Sequence, residues 1–403
     1  METIQFFKEE KYLLEELFKD KNQLFKREIY SQLNKSNIII LYGLRGTGKT
    51  TLLAQKYLEI KGDKLALHGE HLNMAGYSIK DLITIQKHFF REGYLFIDEI
   101  TKLKNWDEEL KIFSDMYPKI RIIVTGSSAV NLQESRRTLA RRALFINLKP
   151  LTFNEFLEIK YNTKIRKFNL FSEDLFTEAM KTELDMRDKL KNINEIILEY
   201  KEMNIPYLLE KPKSTILDLL QRIIYEDIGG TSSFNEEILS KFWPLLKLLA
   251  LSEKISYDIL AKDLNVGKGT VIKMIDYLEK ASIIHKAQIY KKGKSKIRKE
   301  PKFLFVSPVI RIVLLELLGE KERAVGLSRE DLFAMHIEEL YYLKTGPDFV
   351  WNNILFEIGG PNKDLKQFKE IDFKGKKIIV FEGLEIQNKE VFKLPFYIFL
   401  SHF

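Results

Sequence analysis

The stretch 37–60 constrains this 403-residue chain more than any other. An apolar, β-branched run from Asn37 to Tyr42 leads into Gly43-Leu44-Arg45-Gly46-Thr47-Gly48-Lys49-Thr50, and a helical pattern from Thr51 to Ile60 follows. The eight residues fit G-x-x-x-x-G-K-[ST] in its required setting, between a strand and a helix. Glycines let such a loop wrap with its N–H groups pointing inward, and the following helix adds the positive end of its dipole. The ligand such a cradle takes is a chain of phosphates. Gly43 to Thr51 form the candidate binding set, with Lys49 placed for the β- and γ-phosphates and the Thr50 hydroxyl for Mg²⁺.

A second set of residues supplies what phosphoryl chemistry needs beyond binding. Tyr94-Leu95-Phe96-Ile97-Asp98-Glu99 is an apolar strand ending in two acids. Asp98 is the candidate metal carboxylate, acting directly or through water, and Glu99 the group that orients and deprotonates an attacking water. The pair therefore predicts hydrolysis as well as binding. A third run, Ile120 to Thr125, continues into Gly126-Ser127-Ser128. Thr125 or Ser127 is a candidate γ-phosphate sensor, and a plain polar turn is the competing reading. Arg136, Arg137, Arg141 and Arg142 come next; one arginine could stabilise the charge that develops in phosphoryl transfer, leaving the others solvated or on a partner. Short apolar runs separated by helix-length stretches, with Leu144 to Leu148 as a further strand, predict an α/β doubly wound parallel sheet.

In this order the motifs resemble the AAA-type P-loop ATPases, abundant in archaea. The resemblance is carried by Asp98-Glu99-Ile100-Thr101-Lys102-Leu103-Lys104-Asn105-Trp106, by Thr125-Gly126-Ser127-Ser128-Ala129 and by Pro150-Leu151-Thr152-Phe153-Asn154-Glu155-Phe156-Leu157. It is specific from Leu41 to Leu157. It implies a P-loop NTPase fold, ATP in preference to GTP, Mg²⁺, and a tie to signalling ATPases of the STAND kind. In the family a Gly-Arg pair stands eight residues before the proline, which puts the finger on Arg142 in cis or in trans, the latter requiring an oligomer. Here Arg141 occupies the glycine position, a departure from the pattern. The resemblance also implies a winged helix and then a domain similar to restriction-endonuclease folds.

An apolar stripe from Glu9 to Leu33 predicts an N-terminal helix, and charged helices over Glu173 to Glu183 and Asp185 to Tyr200 predict a helical lid. Gly229 to Ser233 form a turn cluster. Three apolar-faced helices follow, with Asn265-Val266-Gly267-Lys268 as the turn between the second and third. On that helix-turn-helix reading, Gly269 to Glu279 is the recognition helix, offering Lys268, Thr270 and Lys273. Strands over Ile284 to Tyr290 and Phe303 to Val306 would carry Lys291, Lys292, Lys294, Lys296, Arg298 and Lys299 at the tip of a wing, suited to DNA phosphates. Of the chain's net charge of +8, a local +7 lies between Lys286 and Lys302, where eight basic residues face Glu300 alone. Packing against a partner protein is the competing reading.

Toward the C-terminus, Glu338 and Glu339 fall on a predicted helix from Arg329 to Leu343, and Asp372 and Glu382 lie beside predicted strands at Ile371 to Phe373 and Lys377 to Phe381. A restriction-type nuclease wants Glu-x-Lys on its second strand. Leu384 stands where that lysine belongs, so the segment reads as a small α/β nuclease-like scaffold without cleavage activity. The predicted organisation is a P-loop core over 1–150, a lid over 151–233, a winged helix-turn-helix over 234–306 and the nuclease-like segment over 307–403.

Several classes are excluded. With no cysteine there is no disulfide framework, thiolate zinc site or cysteine nucleophile. The N-terminus lacks a signal-peptide pattern and the apolar runs are too short to span a bilayer, so no membrane role and a cytoplasmic location are expected. His68 and His71 lack a third ligand at diagnostic spacing, and Trp106 reads as a packing anchor. Three readings remain: an Mg²⁺-dependent ATPase whose ATP state is coupled to a DNA-contacting winged helix, a slow nucleotide-gated switch acting on a protein partner, and an ATP-regulated nuclease.

Overall fold

A computed structural model of the chain describes residues 2–126, 135–252, 255–290, 300–368, 371 and 373–403. Its contacts divide into two units, Met1–Leu148 with Tyr225–Ser233, and Lys149–Ile224 with Phe234–Phe403.

The first unit is built on β1 (Ile38–Tyr42), β2 (Lys64–His68), β3 (Gly93–Asp98), β4 (Ile120–Thr125) and β5 (Ala143–Asn147). All pair in parallel, in the order β2-β3-β4-β1-β5. Alternate residues of a strand point to opposite faces, so a strand covered on both faces must be apolar throughout. Ile38 and Ile40 pack with Leu95, Ile97, Trp106, Leu110, Phe113, Ile122 and Val124 on one side. On the other, Ile39 and Leu41 pack with Phe96, Ile123 and Leu52, Leu53 and Tyr57 of the helix Lys49–Glu59. Trp106 is the packing anchor the sequence suggested. The register pairs Leu41 with Thr125 and Ile97 with Val124, bringing the ends of β1, β3 and β4 to one edge. This is the α/β parallel sheet expected of a P-loop NTPase.

The N-terminal element differs from expectation. The α-helix covers Glu2–Phe18, and two 3₁₀ turns, Lys19–Gln23 and Glu28–Asn34, replace its predicted second half. Leu24 and Arg27 adopt extended backbone angles, which breaks the helix although the apolar spacing continues.

The second unit begins with helices Phe153–Tyr161, Leu175–Lys189 and Ile193–Met203. A reciprocal Thr152–Glu155 capping box starts the first, and Asn192 at φ 56° separates the other two. Helices Phe242–Leu251, Tyr257–Leu264 and Lys268–Lys280 follow. Next come β6 (Ile284–Ile289) and β7 (Lys302–Phe305), antiparallel with Ile284 opposite Phe305. The sheet continues through β8 (Tyr341–Tyr342), β9 (Phe349–Trp351), β10 (Ile354–Gly359), β11 (Lys376–Phe381), β12 (Gln387–Asn388) and β13 (Phe392–Pro395). Its order is β12-β13-β11-β10-β9-β8-β6-β7, so one sheet runs across the predicted boundary at 306.

Two helices lie between β7 and β8, Pro308–Leu317 and Lys321–Ala334. The second corrects the helix predicted from Arg329 to Leu343. Glu338 and Glu339 sit in a bend, and Tyr341 and Tyr342 form β8 between β6 and β9. Sheet pairing of two β-preferring tyrosines outweighs the helical spacing there. Ile371 and Phe373 are in no strand. Arg311, 1% exposed, holds Asp331 through Nε–Oδ2 at 2.5 Å and Nη2–Oδ1 at 3.0 Å and donates to the carbonyls of Leu249 and Ala250. Three helices of the unit are thereby joined at one buried ion pair.

Candidate phosphate-binding site

The loop Gly43–Thr50 leaves the end of β1 and enters the helix Lys49–Glu59. Gly46 and Gly48 take φ of 86° and 94°, the left-handed region in which a side chain would be strained. A Cβ on Gly43 would approach the Leu148 carbonyl oxygen to 2.4 Å. The buried Thr47 hydroxyl donates to the Leu44 carbonyl at 2.8 Å, and Arg27 Nη1 donates to the Thr47 carbonyl at 3.2 Å. Lys49 Nζ donates to the carbonyls of Gly43 and Leu44 at 3.0 and 3.1 Å, which folds its stem across the loop. Burial lowers the Lys49 ammonium pKa, opposed by the charges of Glu99, Asp98 and Asp227. Thr51 follows, half-buried in the helix's first turn.

The acids at the end of β3 are tied to the loop and to β4. Asp98, 2% exposed, accepts from the Thr50 hydroxyl through Oδ2 at 2.8 Å and from the Thr125 hydroxyl through Oδ1. Thr125 Oγ1 in turn accepts the Glu99 N–H at 3.0 Å. Glu99 sits at φ 51°, turning the chain sharply off the strand. Burial raises the Asp98 carboxyl pKa, the neighbouring Glu99 charge adds to the rise, and the hydroxyls of Thr125 and Thr50 oppose it. Hard oxygen donors of this kind suit Mg²⁺, and Thr50 and Asp98, already in hydrogen-bond contact, fit the role of holding it.

Other expectations fare differently. Arg142 precedes β5, whose first residue pairs with Ile38 at the start of β1. It therefore lies at the edge of the sheet away from the phosphate loop, bonded to Asp115, and the finger role in cis is corrected. Parallel register decides this, because the loop follows the other end of β1. Arg136 instead donates to the Tyr42 hydroxyl at 2.5 Å and lies over the Tyr42 ring, next to Gly43. Ser127 lies outside the described residues. The sequence reading missed three partners. These are Arg27, Asp227 and Glu226, of which Glu226 accepts from Arg45 Nη1 at 2.8 Å. No local motif marks them; Glu226 is 181 residues from Arg45 along the chain.

In the second unit, Lys268 opens its helix paired with Asp258 at 2.7 Å, Thr270 is half-buried and Lys273 is exposed. Lys291, Lys292, Lys294, Lys296, Arg298 and Lys299 lie outside the described residues, as does Asp372. Glu382 is gripped by Lys201 and by Arg329, the latter at 2.6 Å, so it serves as an ion-pair anchor. Glu357 on β10 is 1% exposed; its Oε2 has no hydrogen-bond partner and its Oε1 pairs with Lys363. His68 and His71 stack with ring centroids 4.5 Å apart, and among the described residues no group of three or more His, Asp or Glu is arranged to hold a metal.

Residues 35–157 match the family described as AAA domain, and residues 176–321 a domain of unknown function, DUF8612. Uncharacterized protein MJ1637 of Methanocaldococcus jannaschii is 32% identical over 403 residues, covering 90% of this chain and 84% of that protein. The chain belongs to the MJ1637 family. Its AAA domain is the P-loop ATPase core that contains every residue of the loop and both acids of β3. An uncharacterized protein of Haemophilus influenzae is 23% identical over 396 residues, covering 88% of this chain and 92% of that protein. Among solved structures, the Walker-type ATPase PABY2304 of Pyrococcus abyssi is similar with a TM-score of 0.41 and 17% identity, over 72% of this chain and 96% of that one. No helix among the described residues is long and apolar enough to cross a membrane.

Proposed function

We propose that the AAA domain hydrolyses ATP with Mg²⁺. The observation that carries this reading is the hydrogen-bonded chain Thr50–Asp98–Thr125–Glu99, which ties the phosphate loop to two strand ends. Mg²⁺, when bound, would supply positive charge against the phosphates, held by Thr50 and Asp98. Lys49 exchanges its loop carbonyls for the β- and γ-phosphates. Thr50 and Asp98 hold the metal's place, and Thr125 fixes the backbone of Glu99, whose carboxylate takes a proton from the attacking water. An arginine reaching the γ-phosphate is supplied by Arg136 or, from a second copy, by Arg142.

Steady-state hydrolysis tests this. Lys49→Ala abolishes nucleotide binding and turnover, whereas Glu99→Gln retains binding and slows turnover by roughly 10²–10⁴-fold. Turnover of Lys49→Ala equal to wild type overturns the assignment.

The ATP state further governs DNA contact by a winged helix-turn-helix, with Lys268, Thr270 and Lys273 on the third helix. Three successive helices followed by the β6–β7 pair support this reading, together with the local basic excess. DNA binding that weakens steeply between low and moderate salt supports it; ATP-dependent capture of a protein with no DNA affinity favours the switch acting on a partner. Cleavage is not included, because Glu382 is held by two cations and Leu384 stands at the lysine position.

A further inference from the structure

The turn of π-helix Ile223–Ile228 carries two acids into the first unit, where Tyr225–Ser233 packs with the phosphate-binding core. Such turns are rare and concentrate at functional positions. Glu226, half exposed, bonds Arg45 of the phosphate loop. Asp227 is 2% exposed, and neither of its carboxylate oxygens has a hydrogen-bond partner. Its nearest cations are Lys102 Nζ at 3.6 Å and Arg45 Nη1 at 3.9 Å, near enough for charge attraction and too far for hydrogen bonds.

A buried carboxylate without hydrogen bonds is costly, and a permanent clamp would not leave one so. The Arg311–Asp331 pair of the other unit shows how this chain builds a permanent clamp, bidentate at 2.5 and 3.0 Å. Asp227 is instead held by charge alone, between Arg45 of the phosphate loop and Lys102. Burial raises its pKa, against the pull of Arg45 and Lys102. Its charge also acts on Lys49. A negative group at this place occupies cations that an incoming phosphate chain would use.

We propose that Glu226 and Asp227 form an internal anion that competes with nucleotide phosphates for Arg45 and Lys102. The inference rests on the nucleotide-binding reading above. Phosphate entry draws Arg45 and Lys102 off the two acids and loosens the turn 223–233. By linkage, holding the acids in place weakens nucleotide binding by the same factor. The group that binds is the polyphosphate, so inorganic tripolyphosphate should compete at the same cations as ATP.

Calorimetric titration of the full chain with a non-hydrolysable ATP analogue, and separately with tripolyphosphate, tests the proposal. Asp227→Asn should tighten both by about tenfold and Glu226→Gln by about threefold, as expected from removing one nearby charge in a partly screened site. Amide exchange over 223–233 should speed up when the analogue binds wild type. Unchanged or weaker affinity in both variants overturns the proposal, as does a lower melting temperature without tighter binding, which marks a purely structural acid. Glu226→Gln removes an exposed charge, so the test survives if Asp227→Asn does not fold. If wild type binds neither probe and Lys49→Ala changes nothing, the nucleotide reading has failed and this inference with it. If binding depends on Lys49 but both acid variants match wild type, only the competition is refuted.

Discussion

Thr125, the last residue of β4, joins Asp98 at the end of β3 to Glu99 just beyond it. Its hydroxyl donates to Asp98 and accepts from the Glu99 backbone. Thr125→Val keeps the volume and removes both bonds. Hydrolysis should fall at least tenfold while ATP affinity stays within about threefold, because the loss falls on positioning. Glu357 gives a second test. Burial pushes its carboxyl up to about 7 from 4.5, with the Asp348 charge adding to the rise and Lys363 opposing it. The folded state therefore binds more protons than the unfolded state between those values. The contribution of this group to stability is fully present below pH 4.5 and is lost as pH rises through 7, on the order of 3 kcal/mol. Glu357→Gln should flatten that decline in chemical denaturation measured from pH 4.5 to 8. Lys49 with Thr50, and Asp98 with Glu99, were legible because the two members of each pair are adjacent within one short motif. Asp227, Arg27 and Glu357 were not, since folding alone supplies their neighbours.

Among elements, the buried strands read clearly because a strand covered on both faces must be apolar along its length, as Ile38–Leu41 and Leu95–Ile97 are. Helix ends and short strands read less well. The stripe from Glu9 to Leu33 keeps helical spacing through a break at Leu24, and Tyr341–Tyr342 pair in a sheet within an apparent helix. In both cases side-chain periodicity reports which face is buried, while backbone partners decide the conformation. The helix Trp106–Met116 buries Trp106, Leu110 and Phe113 at helical intervals. Phe113→Ala should cost roughly 3–5 kcal/mol in denaturant unfolding, because the ring is fully buried in the cluster that includes Leu95, Ile97 and Ile122. Exposed Ile112→Ala on the same helix should change stability by about 0.5 kcal/mol or less.

For the whole molecule, the sequence foretold a succession of segments, whereas the contacts form two units, and the first takes in residues far along the chain. Calorimetry should show two transitions, of which nucleotide raises the one belonging to the phosphate-binding unit. Asp331→Ala leaves Arg311 buried without its partner and should lower the other transition, at a cost of about 3–5 kcal/mol. Retention of the nucleotide-shifted transition in that variant would assign each transition to its unit. The division also has a consequence in time. A chain emerging from the ribosome folds from its N-terminal end as units become complete. Here all five strands of the first sheet have emerged by Asn147, yet Tyr225–Ser233 must still be made before the unit is whole. A nascent chain paused between those points exposes the phosphate loop with Arg45 not yet met by Glu226, so nucleotide can arrive before the segment that meets it.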